Sequence, residues 1–509
     1  MKKLFRLLFS RVFLFSVLIV LQLGLITLLL VNLGASSLYC YLALHILSII
    51  VVAWLITKDD NPSYKITWII LILTVPLLGG LAYLKFGNKT LPKRTWNRIK
   101  NHREANESLF RTDADHTDRL VAKFPEFSAQ AEYIRRTAAF APCGNTRVEF
   151  LPSGEEFFKQ LLTELPKAEH FIFLEYFIIE EGKMWDPILE ILKERAAAGV
   201  EVCVLYDDFG CARRLPGSYP KTMEAYGIHC AAFNALRPSL DPGLNYRDHR
   251  KTCVIDGKLG FCGGINLADE YINEVSPYGY WKDSAVLLRG EAVSSLVRMF
   301  LQLWVLMRPD ALQHPHEYYR KAVPVTAEGY VQSFSDTPLD HHNVAETVYM
   351  QIVNRASRYV YITTPYLVLD NEFVTCLKMA AESGVDVRII LPSHPDKWYV
   401  HMVSRSYYQT LIRSGVKIYE YQPGFIHAKM FLCDDDCAVV GTANLDYRSL
   451  YLHYENAVVL YGCPAISDVH QDILKILDES RLITTEELKT KLRGTAVLTA
   501  FLKLLAPLM

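Results

Sequence analysis

One short pattern occurs twice in the chain and restricts what it can fold into. His249-Arg250-Lys251 is followed by Asp256 and then Gly263-Gly264-Ile265-Asn266. His427-Ala428-Lys429 is followed by Asp434 and then Gly441-Thr442-Ala443-Asn444. Both copies keep the spacing H-x-K-x4-D-x6-G-[GT]-x-N without a gap. Other segments recur in the same order: Ala168–Leu174 with Ala356–Ile362, Gly199–Val202 with Gly384–Val387, Tyr226–Ile228 with Ser414–Val416, and Asp283–Leu288 with Glu455–Leu460. Matches in register with a drifting offset indicate a duplication whose copies carry loop insertions. Two such copies imply one site with two histidines.

Each copy reads as alternating strands and helices. Ser153 with Glu156 is a capping-box signature ahead of Phe157, Phe158, Leu161 and Leu162. Phe171–Leu174 is a short apolar run suited to a buried strand. Trp185, Ile188, Leu189 and Leu192 predict a helix from Trp185 to Ala198, ended by Gly199, and Val200–Tyr206 predicts the next strand. The expected class is α/β: duplicated α/β sandwich domains forming one active site.

Three apolar runs precede this region: Val12–Leu33, Leu38–Ile56 and Ile66–Leu84. Each approaches the roughly 20 helical residues that cross a bilayer core. They predict an N-terminal module of transmembrane helices over residues 1–85, two to three in number. The basic residues flanking them are nearly balanced, so orientation stays open. A basic, polar linker is expected over 86–145, including the solvated stretch Asn101–Glu107. The first catalytic-type domain is expected over 146–325, the second over 326–480, and a C-terminal amphipathic helix over 481–509. Thr484 with Glu487 would cap that last helix, which either docks on the core or lies in a membrane interface.

Composition narrows the function. A net charge of −1 advertises no nucleic-acid partner, and 51% hydrophobic residues exclude disorder over most of the length. The 11 cysteines form no CxxC pairs. Cys433 and Cys437 read as small core residues of a hairpin rather than metal ligands or a disulfide, and reduced thiols suit a cytosol-facing domain.

Residues two apart on a strand share a face, so His249 projects with Lys251 and His427 with Lys429. An imidazole beside an ammonium group, with the amide of Asn266 or Asn444 returning nearby, makes a phosphate-binding cluster. Two clusters would surround one phosphoryl group, with lysines and amides holding the equatorial oxygens. One imidazole can then attack phosphorus while the other protonates the leaving alkoxide, and neither metal nor cofactor is required. Each histidine needs a group to fix its tautomer. The repeat nominates Asp283 in the first copy and Glu455 in the second. Asp256 and Asp434 stand at strand–turn ends, where supporting the turn is at least as natural as direct chemistry.

At these residues the chain resembles the phospholipase D superfamily, whose two HKD motifs match His249/Lys251/Asp256 and His427/Lys429/Asp434. It is similar in particular to bacterial cardiolipin synthases, through Asn245–Lys251, Gly263–Asn266 with Asp269-Glu270-Tyr271, Phe425–Lys429 and the Pro76–Gly79 segment. The resemblance implies catalytic roles for His249, Lys251, Asp256, His427, Lys429 and Asp434. It also implies a phosphatidyltransferase that joins two phosphatidylglycerol molecules, as donor and acceptor, into cardiolipin and glycerol by way of a phosphatidyl-histidine. The implied location is the bacterial plasma (inner) membrane, multi-pass, with the catalytic domain on the cytoplasmic side. A hydrolytic phospholipase D or phosphodiesterase would use the same residues with water as acceptor. A nuclease lacks the basic cleft, and an inactive scaffold would not keep both motifs intact.

Overall fold

The computed structural model describes residues 35–87, 115–234, 246–308, 325–340, 342–492 and 496–508, with Gly24, Asn97, Asn101, Leu312 and Tyr318. Apart from Gly24 and Asn101, the first apolar run and the Asn101–Glu107 stretch lie outside these residues. The chain divides into two units. One comprises Met1–Lys93, Leu236–Asn245 and Ala500–Met509, the other Arg94–Ala235 and Tyr246–Thr499.

The larger unit contains the duplication as two sheets. In the first, β1 (Thr146–Leu151), β2 (Phe171–Tyr176), β3 (Glu201–Asp207), β4 (His229–Phe233), β5 (Lys251–Ile255), β6 (Leu259–Gly263) and β7 (Ala285–Gly290) lie in the order β1-β7-β6-β5-β2-β3-β4. In the second, β8 (Tyr330–Asp336), β9 (Tyr359–Thr363), β10 (Asp386–Pro392), β11 (Lys417–Tyr421), β12 (Met430–Cys433), β13 (Cys437–Gly441) and β14 (His453–Tyr461) lie in the order β8-β14-β13-β12-β9-β10-β11, extended by β15 (Ser480–Leu482). The two orders correspond strand for strand. Within each sheet β2-β3-β4 and β9-β10-β11 run parallel, and the remaining main-path pairings are antiparallel.

The local expectations hold where the periodicity was strong. Ser153 accepts a hydrogen bond from the Glu156 amide at 3.3 Å and opens the helix Gly154–Glu164. Trp185–Ala197 is helical and Gly199 follows in the left-handed region at φ 89°. Their buried faces, with Phe157, Leu161, Ile188 and Leu192, cover Val202 and Val204 of β3. Burying each such side chain contributes roughly 1.5–3 kcal/mol. The Thr484 amide donates to Glu487 at 3.4 Å, ahead of the helix Thr485–Leu492. Cys433 and Cys437 face each other across the β12–β13 hairpin as buried free thiols.

One central element went unassigned in the sequence. The helix Val293–Met307 is buried nearly all round and touches strands of both sheets, and its Phe300 stacks on Phe173 at 4.4 Å. A helix whose apolar residues cover most of its circumference belongs inside a protein.

Two short segments cross between the halves. Arg247–Asp248, leading into the first motif, pairs in parallel with His453–Tyr454 at the start of β14. Gly424–Ile426, leading into the second motif, pairs in parallel with Tyr280–Lys282 just before β7. The exchange is reciprocal: the His249 amide donates to the Tyr454 carbonyl at 2.9 Å, and the His427 amide to the Lys282 carbonyl at 2.7 Å.

In the smaller unit, the second apolar run forms the helix Ala35–Ile56, with Leu42, Ile46, Leu47, Ile49, Ile50 and Trp54 exposed. The third run is not one continuous helix. It breaks at Val75 into Pro62–Thr74 and Pro76–Ala82. Pro76 cannot donate to the helical ladder, and a Cβ on Gly79 would meet the Leu71 carbonyl at 2.5 Å, so the turn folds tightly back on itself. The 13 residues of its first piece extend about 20 Å, short of a bilayer core of about 30 Å. Among the described residues no helix is long and apolar enough to cross a membrane. Tyr64, Trp68, Ile72 and Tyr83 form a small core, and Thr67 donates to the Leu504 carbonyl at 2.7 Å, which ties the C-terminal helix to this unit.

Candidate active site

The crossed segments bring both histidines to one buried cluster, and each is held by the carboxylate of the opposite half. His249 Nδ1 lies 2.9 and 3.0 Å from the two oxygens of Glu455. His427 Nδ1 lies 2.6 Å from Asp283 Oδ2. The expectation that each copy supplies its own carboxylate is therefore corrected. The residues are those nominated, but the pairing is exchanged, because the strand before each histidine hydrogen-bonds to the strand bearing the other half's acid. In both cases Nδ1 is taken and Nε2 is left for chemistry.

Both histidines are 7% exposed. Burial pushes their pKa values down, to about 3 for His249 and about 4 for His427, so both are neutral imidazoles near pH 7. Burial alone would raise Glu455, but His249 and the hydrogen bonds around it outweigh burial and hold the carboxyl well below its usual range. Asp283 is likewise lowered against its burial, by His427 and Lys429.

Lys251 and Lys429 turn back on their own motifs. Each ammonium donates to the carbonyl of the histidine two residues earlier, and Lys429 Nζ also lies 2.8 Å from His427 Nδ1. Both lysines feel Glu455 and Asp283 together, which places them in one cluster. Burial still dominates, lowering Lys251 to about 8 and Lys429 to about 7.

The motif aspartates stand away from the histidines, each on a run of backbone amides. Asp256 accepts from the backbone amides of Glu169, His170 and Phe171 at 2.7–2.9 Å. Asp434 does the same for Ser357, Arg358 and Tyr359 at 2.7–2.9 Å. Both adopt left-handed φ, 53° and 52°, and close the strand-to-turn corner that starts β2 or β9. Five residues of strand put Asp256 about 16 Å from Lys251. The asparagines differ from each other. Asn266 accepts from the Ile178 amide at 3.0 Å and donates to the Tyr271 hydroxyl at 2.6 Å, so at most one amide hydrogen is left for a phosphate. Asn444 is buried with Oδ1 unpaired, so its amide is less committed.

Several neighbours were missed. Thr442 and Ser449 both donate from their hydroxyls to Glu455. His453 lies beside the same carboxylate, Nδ1 to Oε1 3.6 Å, with its ring 5.5 Å from that of His249. Trp281, Tyr271 and Phe425 surround His427 at 5.2, 5.6 and 5.9 Å, and Phe177 covers His249 at 5.0 Å. Arg250, fully buried between His249 and Lys251, meets Glu175 at 2.7 Å and Asp248 at 3.3 Å. For His453 a signal existed, since two residues before Glu455 on a strand is the same face. For the aromatic box there was none.

Two imidazoles with Nδ1 on carboxylates, facing two ammonium groups in a duplicated α/β frame, define the two-motif phospholipase D superfamily. The chain belongs to its cardiolipin synthase family. Residues 349–477 match the family described as "Cardiolipin synthase, PLD-like domain", and residues 46–88 match the phospholipase D-nuclease N-terminal family. A cardiolipin synthase 2 of Bacillus cereus is 34% identical over 89% of this chain and 88% of its own. A cardiolipin synthase of Geobacillus kaustophilus is 33% identical over 91% and 92%. An uncharacterised protein of Streptococcus mutans is 43% identical over 90% and 99%. Among solved structures, the fold is shared with a phosphatidylserine synthase of Haemophilus influenzae, with a TM-score of 0.57 and 16% identity over 75% of this chain and 100% of that one.

Proposed function

We propose that the protein transfers a phosphatidyl group between two phosphatidylglycerol molecules, giving cardiolipin and glycerol. The observation that carries the reading is the exchanged pairing, His249 on Glu455 and His427 on Asp283, which presents two Nε2 atoms to one phosphodiester. His249, neutral and held by Glu455, attacks phosphorus through Nε2 and forms a phosphatidyl-histidine. The departing glycerol oxygen takes its proton from His427. Burial disfavours that proton in the empty site, and the anionic diester favours it once bound. The terminal hydroxyl of the second phosphatidylglycerol then gives a proton to His427 and displaces His249. Lys251 and Lys429 stabilise charge on the non-bridging oxygens, with Asn444 and the remaining amide hydrogen of Asn266 in support.

In this reading the smaller unit associates with a bilayer. Its helix Ala35–Ile56 leaves a set of large apolar side chains uncovered, more than a soluble surface ordinarily carries. Substrates and product stay in the membrane, and glycerol alone leaves it. The test is the product made from phosphatidylglycerol in mixed micelles. Cardiolipin with one equivalent of glycerol is expected; phosphatidic acid as the main product would replace this reading with the hydrolytic one.

A further inference from the structure

His453 is unused by the mechanism above. It is buried, and neither ring nitrogen completes a hydrogen bond, an arrangement that costs roughly 1–3 kcal/mol unless something else satisfies the ring. Its Nδ1 lies 3.6 Å from Glu455 Oε1, which accepts from the Ser449 hydroxyl and lies 2.9 Å from His249 Nδ1. One donor atom from each of His249, His453 and Glu455 lies within 4.8 Å of the other two, and among the described residues this is the one such trio of His, Cys, Asp or Glu. Ligand distances of about 2.0–2.2 Å in a tetrahedron put donor atoms roughly 3.3–3.5 Å apart, which small rotations of the two rings reach. Two imidazoles and one carboxylate are a donor set that zinc takes, leaving a fourth position for water.

We propose that His249, His453 and Glu455 form a binding site for a divalent ion of the zinc type, whose occupancy switches the transferase off. The consequence follows from the tautomer and rests on the reading of His249 as a reacting imidazole. In the active form the Nδ1 proton of His249 points at Glu455 and Nε2 carries the lone pair. An ion on Nδ1 moves that proton to Nε2, the atom that must attack phosphorus, and also occupies Glu455. The nearby Lys251 ammonium opposes a cation, so the ion is a displaceable inhibitor rather than a resident group. The other half has no equivalent, because Trp281 stands two residues before Asp283, where His453 stands before Glu455.

The experiment uses the full chain in detergent micelles. Cobalt(II) titration should give visible absorption bands of a low-coordinate nitrogen–oxygen site at one equivalent, bleached by zinc. His453→Asn and His453→Gln, each shown folded by thermal melting, should weaken binding by more than about tenfold, since even a lost outer contact to a ligand costs that much. His427→Ala should bind cobalt as tightly as the unaltered chain. No bands, or bands unchanged in both His453 variants, overturn the site. Zinc should also stop cardiolipin formation, and a chelator should restore it. Stoichiometric binding that depends on His453, with transfer at full rate, would leave the metal site standing and overturn the role given to His249.

Discussion

The two halves of the site are matched in chemistry and unlike in packing. His249 has Glu455 as its partner, and that carboxylate is fixed by two hydroxyls, Thr442 and Ser449, with a third imidazole alongside. His427 has the shorter Asp283, a lysine on the same nitrogen, and a wall of Trp281, Tyr271 and Phe425. A carboxylate fixed by several donors stays ionised and keeps its histidine in one tautomer, as a nucleophile requires. An imidazole close to an ammonium group and boxed by aromatic rings sheds a proton readily, as a general acid requires. The duplication supplied two equivalent stations, and their surroundings have diverged in the way the proposed division of labour requires.

The largest effect should come from the histidines themselves. His249→Ala and His427→Ala are each expected to lower cardiolipin formation by at least about a thousandfold. Incubated with labelled phosphatidylglycerol, His427→Ala should trap label on the protein and His249→Ala should not. The reverse pattern would invert the comparison.

Matched positions in the two motifs should then respond unequally. At Gly264 a Cβ would sit 2.1 Å from Asp283 Oδ1, so Gly264→Ala displaces the carboxylate from His427. A loss of up to about 10⁴ in kcat is expected, the size of effect for a histidine deprived of its orienting acid. Thr442→Val at the equivalent place removes one of several donors to Glu455 and should cost about 1–2 kcal/mol, close to tenfold. Equal losses in kcat would mean that the carboxylates are not positioned as described.

The pH profile sharpens the same contrast. His249, the attacking imidazole, is neutral well above its lowered value of about 3, so kcat/KM should not fall on the acid side between pH 5 and 7. The lysines work as ammonium groups, and each loses its proton as pH rises through about 7 for Lys429 and about 8 for Lys251. The free enzyme should therefore lose kcat/KM on the alkaline side, while kcat, reporting the phosphate-bound state, declines at higher pH. A profile flat to pH 10 would sink the assignment.

The smallest catalytic effect should come from the residues that complete the motif's name. Asp256→Asn and Asp434→Asn weaken charge-assisted bonds to three backbone amides and are expected to destabilise the fold by about 1–3 kcal/mol each. The folded fraction should keep kcat within about tenfold of the unaltered chain, since neither carboxylate stands near the histidines. Thermal melting followed by activity below the transition separates the two readouts.

The repeated spacing alone determined the duplication, the α/β class, and the identities of His249, Lys251, His427, Lys429, Asp283 and Glu455, because each of these follows from local periodicity or from aligning the chain with itself. The capping of Gly154–Glu164 and the stop at Gly199 were legible for the same reason: caps and turns are made by near neighbours. Only the tertiary structure decided which carboxylate serves which histidine. That choice depends on Arg247–Asp248 adding to the second sheet beside β14, and on Gly424–Ile426 pairing beside Trp281. No sequence interval encodes a strand pairing more than a hundred residues away. Contacts remote in sequence likewise seat Asp256 and Asp434 on backbone amides, whereas the break before Pro76 and the placing of His453 beside Glu455 are local. Where the deciding contact is remote in sequence, its energy exists only once the distant segments have met.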